Sequence, residues 1–152
     1  MKSLNLVERE CGQCQACCQR FEISELQKPE RQRCEHQCKQ GCAIYPERPA
    51  RCAAYRCRWL QGDPNLERRD RPDRLGVIFD SHSALGELLE GVSYVVAHEV
   101  KPQALKSKRV ARWVEALSRE RLVIQVSFGG KRKVSGPPQL LAEFQRRTQE
   151  AP

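Results

Sequence analysis

Cys11-Gly12-Gln13-Cys14-Gln15-Ala16-Cys17-Cys18 places four thiols in eight residues, and this stretch decides how the N-terminal half of the chain folds. Two thiols three residues apart reach one ion when the backbone turns between them, and Gly12 supports such a turn because it accepts positive φ. Cys14 and Cys17 repeat the spacing. Neighbours such as Cys17 and Cys18 point apart on a turn or helix, so they serve different ions unless one of them bridges two. A single buried cysteine is usually just a small hydrophobe, but that reading does not cover four within eight residues.

Working outward, a second element is Cys34-Glu35-His36-Gln37-Cys38-Lys39-Gln40-Gly41-Cys42, whose spacings of four suit a helical face or a loop wrapped round an ion. A third is Cys52-Ala53-Ala54-Tyr55-Arg56-Cys57, after Tyr45-Pro46-Glu47-Arg48-Pro49. All nine cysteines lie between Cys11 and Cys57. Structural zinc takes four such ligands, and an iron–sulfur cube usually takes four thiolates. Nine cysteines therefore supply two sites with one thiol over, or fewer if a thiolate bridges. His36 reads as a solvated loop residue, and His82 and His98 lie in or beside strand-like segments without ligand-type neighbours at motif spacing. Tyr45 and Trp59 read as packing residues that cover the cysteine module.

The 152 residues are 39% hydrophobic and 30% charged, and no apolar run approaches the roughly 20 residues of a membrane span. The start, MKSLNLVERE, has no apolar core of a secretory signal, so a cytoplasmic setting is expected. In a reducing compartment, an odd number of tightly spaced cysteines favours metal ligation over a disulfide framework. The net charge of +8 needs the same correction. Residues 1–62 hold 11 Lys+Arg against 7 Asp+Glu, a net +4. Eight thiolates on two divalent ions would bring that half close to neutral, so part of the basic excess offsets thiolate charge instead of attracting phosphate.

Composition changes near Gly62, where QGDPNLERRDRPDR begins with Pro64 and Pro72 and reads as a connector. Beyond it, Leu75 to Phe79 and Val92 to Val100 read as strands. Pro102 to about Glu120 reads as a helix, because Val110, Trp113, Val114 and Leu117 fall on one face and are expected to be buried against the sheet. Leu122 to Phe128 and Lys131 to Val134 read as strands joined by a Gly129-Gly130 hairpin turn. Pro137-Pro138 opens a last helix with Leu140, Leu141 and Phe144 apolar. The expected fold class is α+β: a metal-stabilised cysteine-rich module over residues 1–62, and a small antiparallel sheet with two helices over residues 63–152 packed against it.

Taken in order, the C-x2-C-x2-C-C run from Cys11 to Cys18, a further cysteine, Cys42-Ala43-Ile44-Tyr45 and Arg48-Pro49-x2-Cys52 resemble the CxxCxxCC cysteine-cluster family (YkgJ-like) over roughly residues 11–60. The chain departs from that pattern at Ala53, where the family often has arginine, and at Ala16, where it carries glycine before the adjacent pair. The resemblance implies a bacterial, cytoplasmic, zinc- or iron-chelating domain. It covers Cys11, Cys14, Cys17, Cys18, Cys42 and Cys52. Cys38 stands four residues before Cys42, and Cys57 precedes Arg58-Trp59, so these two complete an expected ligand set of eight. Cys34, between Arg33 and Glu35, is the expected spare. A related cysteine pattern occurs in flagellin lysine methylases associated with an iron–sulfur cluster.

The expected function is metal binding through clustered thiolates, mainly structural, with two zinc ions first and iron or an iron–sulfur cluster as the alternative. About sixty residues with few large apolar side chains need such a staple to fold. The rivals are an iron–sulfur enzyme of redox or group-transfer type and an adaptor that meets nucleic acid or protein with the basic helix 102–120. Neither is favoured. The sequence has no phosphate-binding glycine loop, no dinucleotide fingerprint and no legible Ser/His/Asp set. Lys106, Lys108, Arg109 and Arg112 read as an ordinary solvated face.

Overall fold

The computed structural model describes residues 8–81 and 87–150. His82 and residues 1–7 of the chain start lie outside the described residues. The cysteine-bearing half contains the short helices α1 (Ala16–Arg20) and α2 (Ala50–Ala54) and a two-stranded hairpin of β1 (Gln37–Cys38) and β2 (Gly41–Cys42). The connector is ordered. It holds a 3-10 turn at Arg68–Asp70, closed by a reciprocal Glu67/Asp70 capping box, and the helix α3 (Pro72–Leu75). Gly76 ends α3 at φ 80°, and a Cβ there would sit 2.7 Å from that of Ala104. Leu75 therefore belongs to the helix, and strand β3 (Val77–Asp80) begins after it.

The remaining elements are β4 (Tyr94–Glu99), α4 (Lys108–Ser118), β5 (Leu122–Val126), β6 (Arg132–Ser135) and α5 (Pro138–Glu150). The chain is α+β as expected, but its main sheet is mixed rather than antiparallel. Strand order is β3-β4-β5-β6, and β4 runs parallel to β5 in a register from Tyr94↔Leu122 to His98↔Val126. The physical reason is the connection. Strands joined by a tight turn pair antiparallel, whereas a helix between two strands carries the chain back to the starting end. β5 is accordingly a near-continuous buried run, Leu-Val-Ile-Gln-Val, with only Gln125 part-exposed. The hairpin from β5 to β6 is antiparallel, and its turn closes with the Gly130 amide on the Ser127 carbonyl at 2.9 Å.

Helix α4 starts later than the sequence suggests. Ser107 caps it by accepting from the Val110 amide at 3.2 Å, while Pro102 lies ahead of a separate 3-10 turn, Ala104–Lys106. Val110 and Val114 are buried against Val77, Phe79, Val95, Ala97 and Val123, whereas Trp113 and Leu117 are only partly buried. On the opposite face, Leu140, Leu141 and Phe144 of α5 pack on Val96, Leu122, Ile124 and Val126. A third core joins the two halves of the chain: Ala16, Cys57, Trp59 and Leu66 pack with Ile78 and Val100 of the sheet region, and Trp113 closes over both this core and the α4 core.

Candidate metal centre

The turn through Gly12 forms as the spacing requires. Gly12 sits at φ 56°, and the Cys14 amide donates to the Cys11 carbonyl at 2.9 Å. Helix α1 follows at once, held in place by buried Ala16 and Arg20. The second cysteine element docks on it through the Cys34 amide, which donates to the Cys18 carbonyl at 3.2 Å. Gln15 ties in the small hairpin by donating its side-chain amide to the carbonyls of Cys38 and Gly41. Cys52 is carried by α2, and Cys57 is buried beside Trp59.

The thiols fall into two neighbourhoods. Cys11, Cys14 and Cys17 act on one another, and Cys57 lies in the field of Cys11 and Cys14. Cys14, Cys17 and Cys57 also share the apolar core of Trp59 and Leu66. Arg48, Arg56 and Arg71 lie near Cys11. In the second neighbourhood Cys52 feels Cys18, Cys34 and Cys42, and Lys28 stands near Cys34, Cys18 and Cys52. Lys28 is buried, with its ammonium donating to the carbonyls of Phe21 and Pro29. The two neighbourhoods meet at the Cys17–Cys18 peptide, where the two side chains hydrogen-bond each other instead of diverging as the spacing suggests, and Cys18 also acts on Cys11. Among the described residues, Cys38 is the cysteine on which neither set draws. It sits on β1, paired across the hairpin from Gly41.

Cys34, the expected spare, lies inside the thiol region. It is only 6% exposed, while Arg33 and Glu35 on either side are exposed, and its backbone amide ties it to Cys18. Tyr45 is also misjudged by sequence: it is 59% exposed, with the Arg48 guanidinium 3.7 Å from its ring centre. Trp59 does cover the thiols, buried against Cys14, Cys17 and Cys57. His36 is part-exposed near Glu35. His98 is buried under Phe21, 3.8 Å from Asp80. Sequence reading missed Lys28, whose burial depends on a loop that no periodicity marks. It also missed Asp73, which holds Arg71 at 2.6 Å and hydrogen-bonds Cys14.

All nine cysteines are free, and among the described residues no three Cys, His, Asp or Glu side chains already converge on one point as an ion-holding group. The sets are neighbourhoods of thiols, and ligation requires each to draw inward. Burial raises the thiol pKa of Cys11, Cys14 and Cys52, and pushes Cys57 up to about 11. The Cys17–Cys18 hydrogen bond splits that pair: Cys17 is pushed up, and Cys18 is brought down to about 7. Cys18 therefore ionises first. The donor chemistry fits a thiophilic divalent ion, since soft sulfur donors select zinc or iron–sulfur chemistry over hard cations.

No family model matches the chain, and no curated protein or solved structure does so either.

Proposed function

We propose that this chain is a metal-binding protein in which two ions, zinc first among the choices and iron or an iron–sulfur cluster second, each take four cysteine thiolates. Cys11, Cys14, Cys17 and Cys57 would hold one, and Cys18, Cys34, Cys42 and Cys52 the other. The observation that carries the reading is the clustering of eight thiols, Cys57 with Cys11, Cys14 and Cys17, and Cys52 with Cys18, Cys34 and Cys42, joined through the Cys17–Cys18 pair. Cationic neighbours, arginines beside Cys11 and Lys28 beside Cys34, Cys18, Cys17 and Cys52, offset the charge of the thiolates. This partition exchanges Cys38 for Cys34 in the ligand set read from sequence. The resemblance to the CxxCxxCC family supports the same chemistry, and the cytoplasm, where thiols stay reduced, is the setting it requires.

When bound, each ion supplies a crosslink between segments distant in sequence, and the protein's own residues do the remainder. Trp59 and Leu66 pack over Cys14, Cys17 and Cys57 of the first set, while Cys11 stays exposed. Lys28 stabilises thiolate over thiol at Cys18. The crosslink is the whole role drawn for each ion, so the metal is structural and an enzyme is the less favoured reading.

The test is elemental analysis and visible absorption on anaerobically purified protein, with two single variants. About two zinc atoms per chain without colour are expected, and Cys34→Ser should lose one while Cys38→Ser keeps both. Loss of an ion in Cys38→Ser with both retained in Cys34→Ser would overturn the partition. A brown protein absorbing near 400 nm would move the metal assignment to iron–sulfur.

A further inference from the structure

Between the cysteine-bearing half and the sheet lies a cavity of about 180 Å³, lined by Arg20, Arg31, Arg33, Glu99, Val100 and Phe128. Three guanidinium groups line one small space, and each reaches it differently. Arg20 comes from α1 and is only 5% exposed; its Nη1 donates to Glu30 at 3.0 Å, but its buried Nε has no hydrogen-bond partner among the described residues. Arg31 adopts a left-handed backbone, φ 61°. Its guanidinium lies against Gly130, where a Cβ would stand 2.5 Å from Nη2. Only glycine at that turn lets the arginine in. Arg33 is exposed and donates at 3.3 Å to the Gln37 carbonyl, which leaves donors to spare.

The one carboxylate lining the cavity does not neutralise these groups by pairing. Glu99 is buried, and both its oxygens accept from backbone amides, Leu105 at 3.0 Å and Phe128 at 2.7 Å. Glu30 lies beside Arg20 and Arg31 but is largely exposed. Counting both acids against three arginines leaves a positive surplus. Phe128, held on the β5–β6 turn by that bond to Glu99, is half exposed beside it. It is one of two large hydrophobic side chains so exposed among the described residues.

We propose that this cavity binds a small phosphate monoester. The phosphoryl oxygens would take donors from the guanidinium groups of Arg20, Arg31 and Arg33, and an apolar or aromatic body would lie on Val100 and Phe128. Planar guanidinium forks match both phosphate and carboxylate. Three of them from three places suit the tetrahedral, more highly charged phosphate better than a planar carboxylate, which one fork saturates. The donors are residues other than the cysteines, so the site is chemically separate from the proposed metal ligands.

The experiment is calorimetric titration of the full chain, as purified, with inorganic phosphate, phenyl phosphate and benzoate. Circular dichroism on every variant confirms folding; Arg31 and Arg33 are surface residues, and neither is needed for a core. Phosphate should bind saturably and phenyl phosphate roughly three- to tenfold more tightly, the increment an aromatic contact supplies. Phe128→Ala should erase that increment and leave inorganic phosphate unchanged. Arg31→Gln and Arg33→Gln should each weaken both phosphates by about tenfold, the loss of one charge-assisted bond. Absence of saturable binding, an adventitious contact indifferent to Arg31→Gln, or benzoate binding as well as phenyl phosphate would overturn the assignment.

Discussion

Removing the carboxylate of Asp70 tests how the cysteine-bearing half is locked to the sheet. Asp70 is 1% exposed and accepts three hydrogen bonds: Arg109 Nε, Arg109 Nη2 at 2.6 Å and the Glu67 amide at 2.7 Å. The bond crosses from the connector to α4, 39 residues on. Glu67 in turn receives the Trp59 indole through its carbonyl at 2.9 Å, so the chain of contacts runs from the thiol cover to the helix. Hydrogen bonds to charged groups contribute about 1.5–3 kcal/mol each. Removing one partner of a buried ion pair costs about 3–5 kcal/mol. Arg109 keeps 22% of its side chain in solvent and can be rehydrated, so Asp70→Ala should sit near the low end, about 3 kcal/mol. At about 2–4 °C per kcal/mol for a chain this size, the midpoint should fall by about 6–12 °C.

Arg109→Ala should cost at least as much, since it strands a fully buried carboxylate with one donor, and the double-mutant cycle should return a coupling of about 2 kcal/mol. Thermal and urea unfolding of the metal-loaded protein give both numbers. A coupling below about 0.5 kcal/mol would refute the reasoning. The pH dependence follows from the same pair. Burial is the largest single influence and raises the Asp70 carboxyl, but the hydrogen bonds from Arg109 and the Glu67 amide, with the charges of Arg109 and Arg69, together outweigh it and hold the group below the usual carboxylate range. A depressed folded pKa means the stabilisation is fully present above the unfolded value of about 3.9 and is lost as pH falls through the folded one. Wild type should therefore lose more stability on acidification than Asp70→Ala.

Chelation should expose residues 11–60 to limited proteolysis before β3–β6, because the elements there are short and the proposed ions crosslink them; a stripped protein as protected as the loaded one would refute this. Mild alkylation of the loaded protein should label Cys38 first, and rapid labelling of Cys34 or Cys52 instead would count against the two sets. Trp113→Ala should cost about 2–3 kcal/mol by denaturant unfolding, less than the 3–5 kcal/mol typical of large aromatics because the indole is only half-buried; a cost below about 1 kcal/mol would mean the side chain joins neither core.

The strands were legible as short apolar runs rich in β-formers, and the two long helices by apolar residues at helical spacing along α4 and α5. Their pairing was not, since the parallel register of β4 on β5 depends on where a crossover lands and not on either strand's own pattern. Boundaries moved where one residue overrides a run, as Gly76 does by ending α3 and Ser107 by capping α4. In the thiol region, spacing implied that Cys17 and Cys18 point apart, whereas their side chains hydrogen-bond each other. It could not rank Cys34 against Cys38, because burial there is set by the Cys34–Cys18 backbone bond, which joins loops sixteen positions apart.

The core of Ala16, Cys57, Trp59 and Leu66 with Ile78 and Val100 has a practical consequence. The chain changes composition at Gly62, and anyone dividing the protein into fragments would cut there. The cut would pass through a filled interior. The first fragment would carry Trp59 and the thiols with no wall behind them, and the second would present Ile78 and Val100 to water. A ribosome meets the same difficulty: every cysteine is synthesised before the residues that shelter it, so the thiols spend part of their early life unshielded, when oxidation or a mismatched ion does most harm.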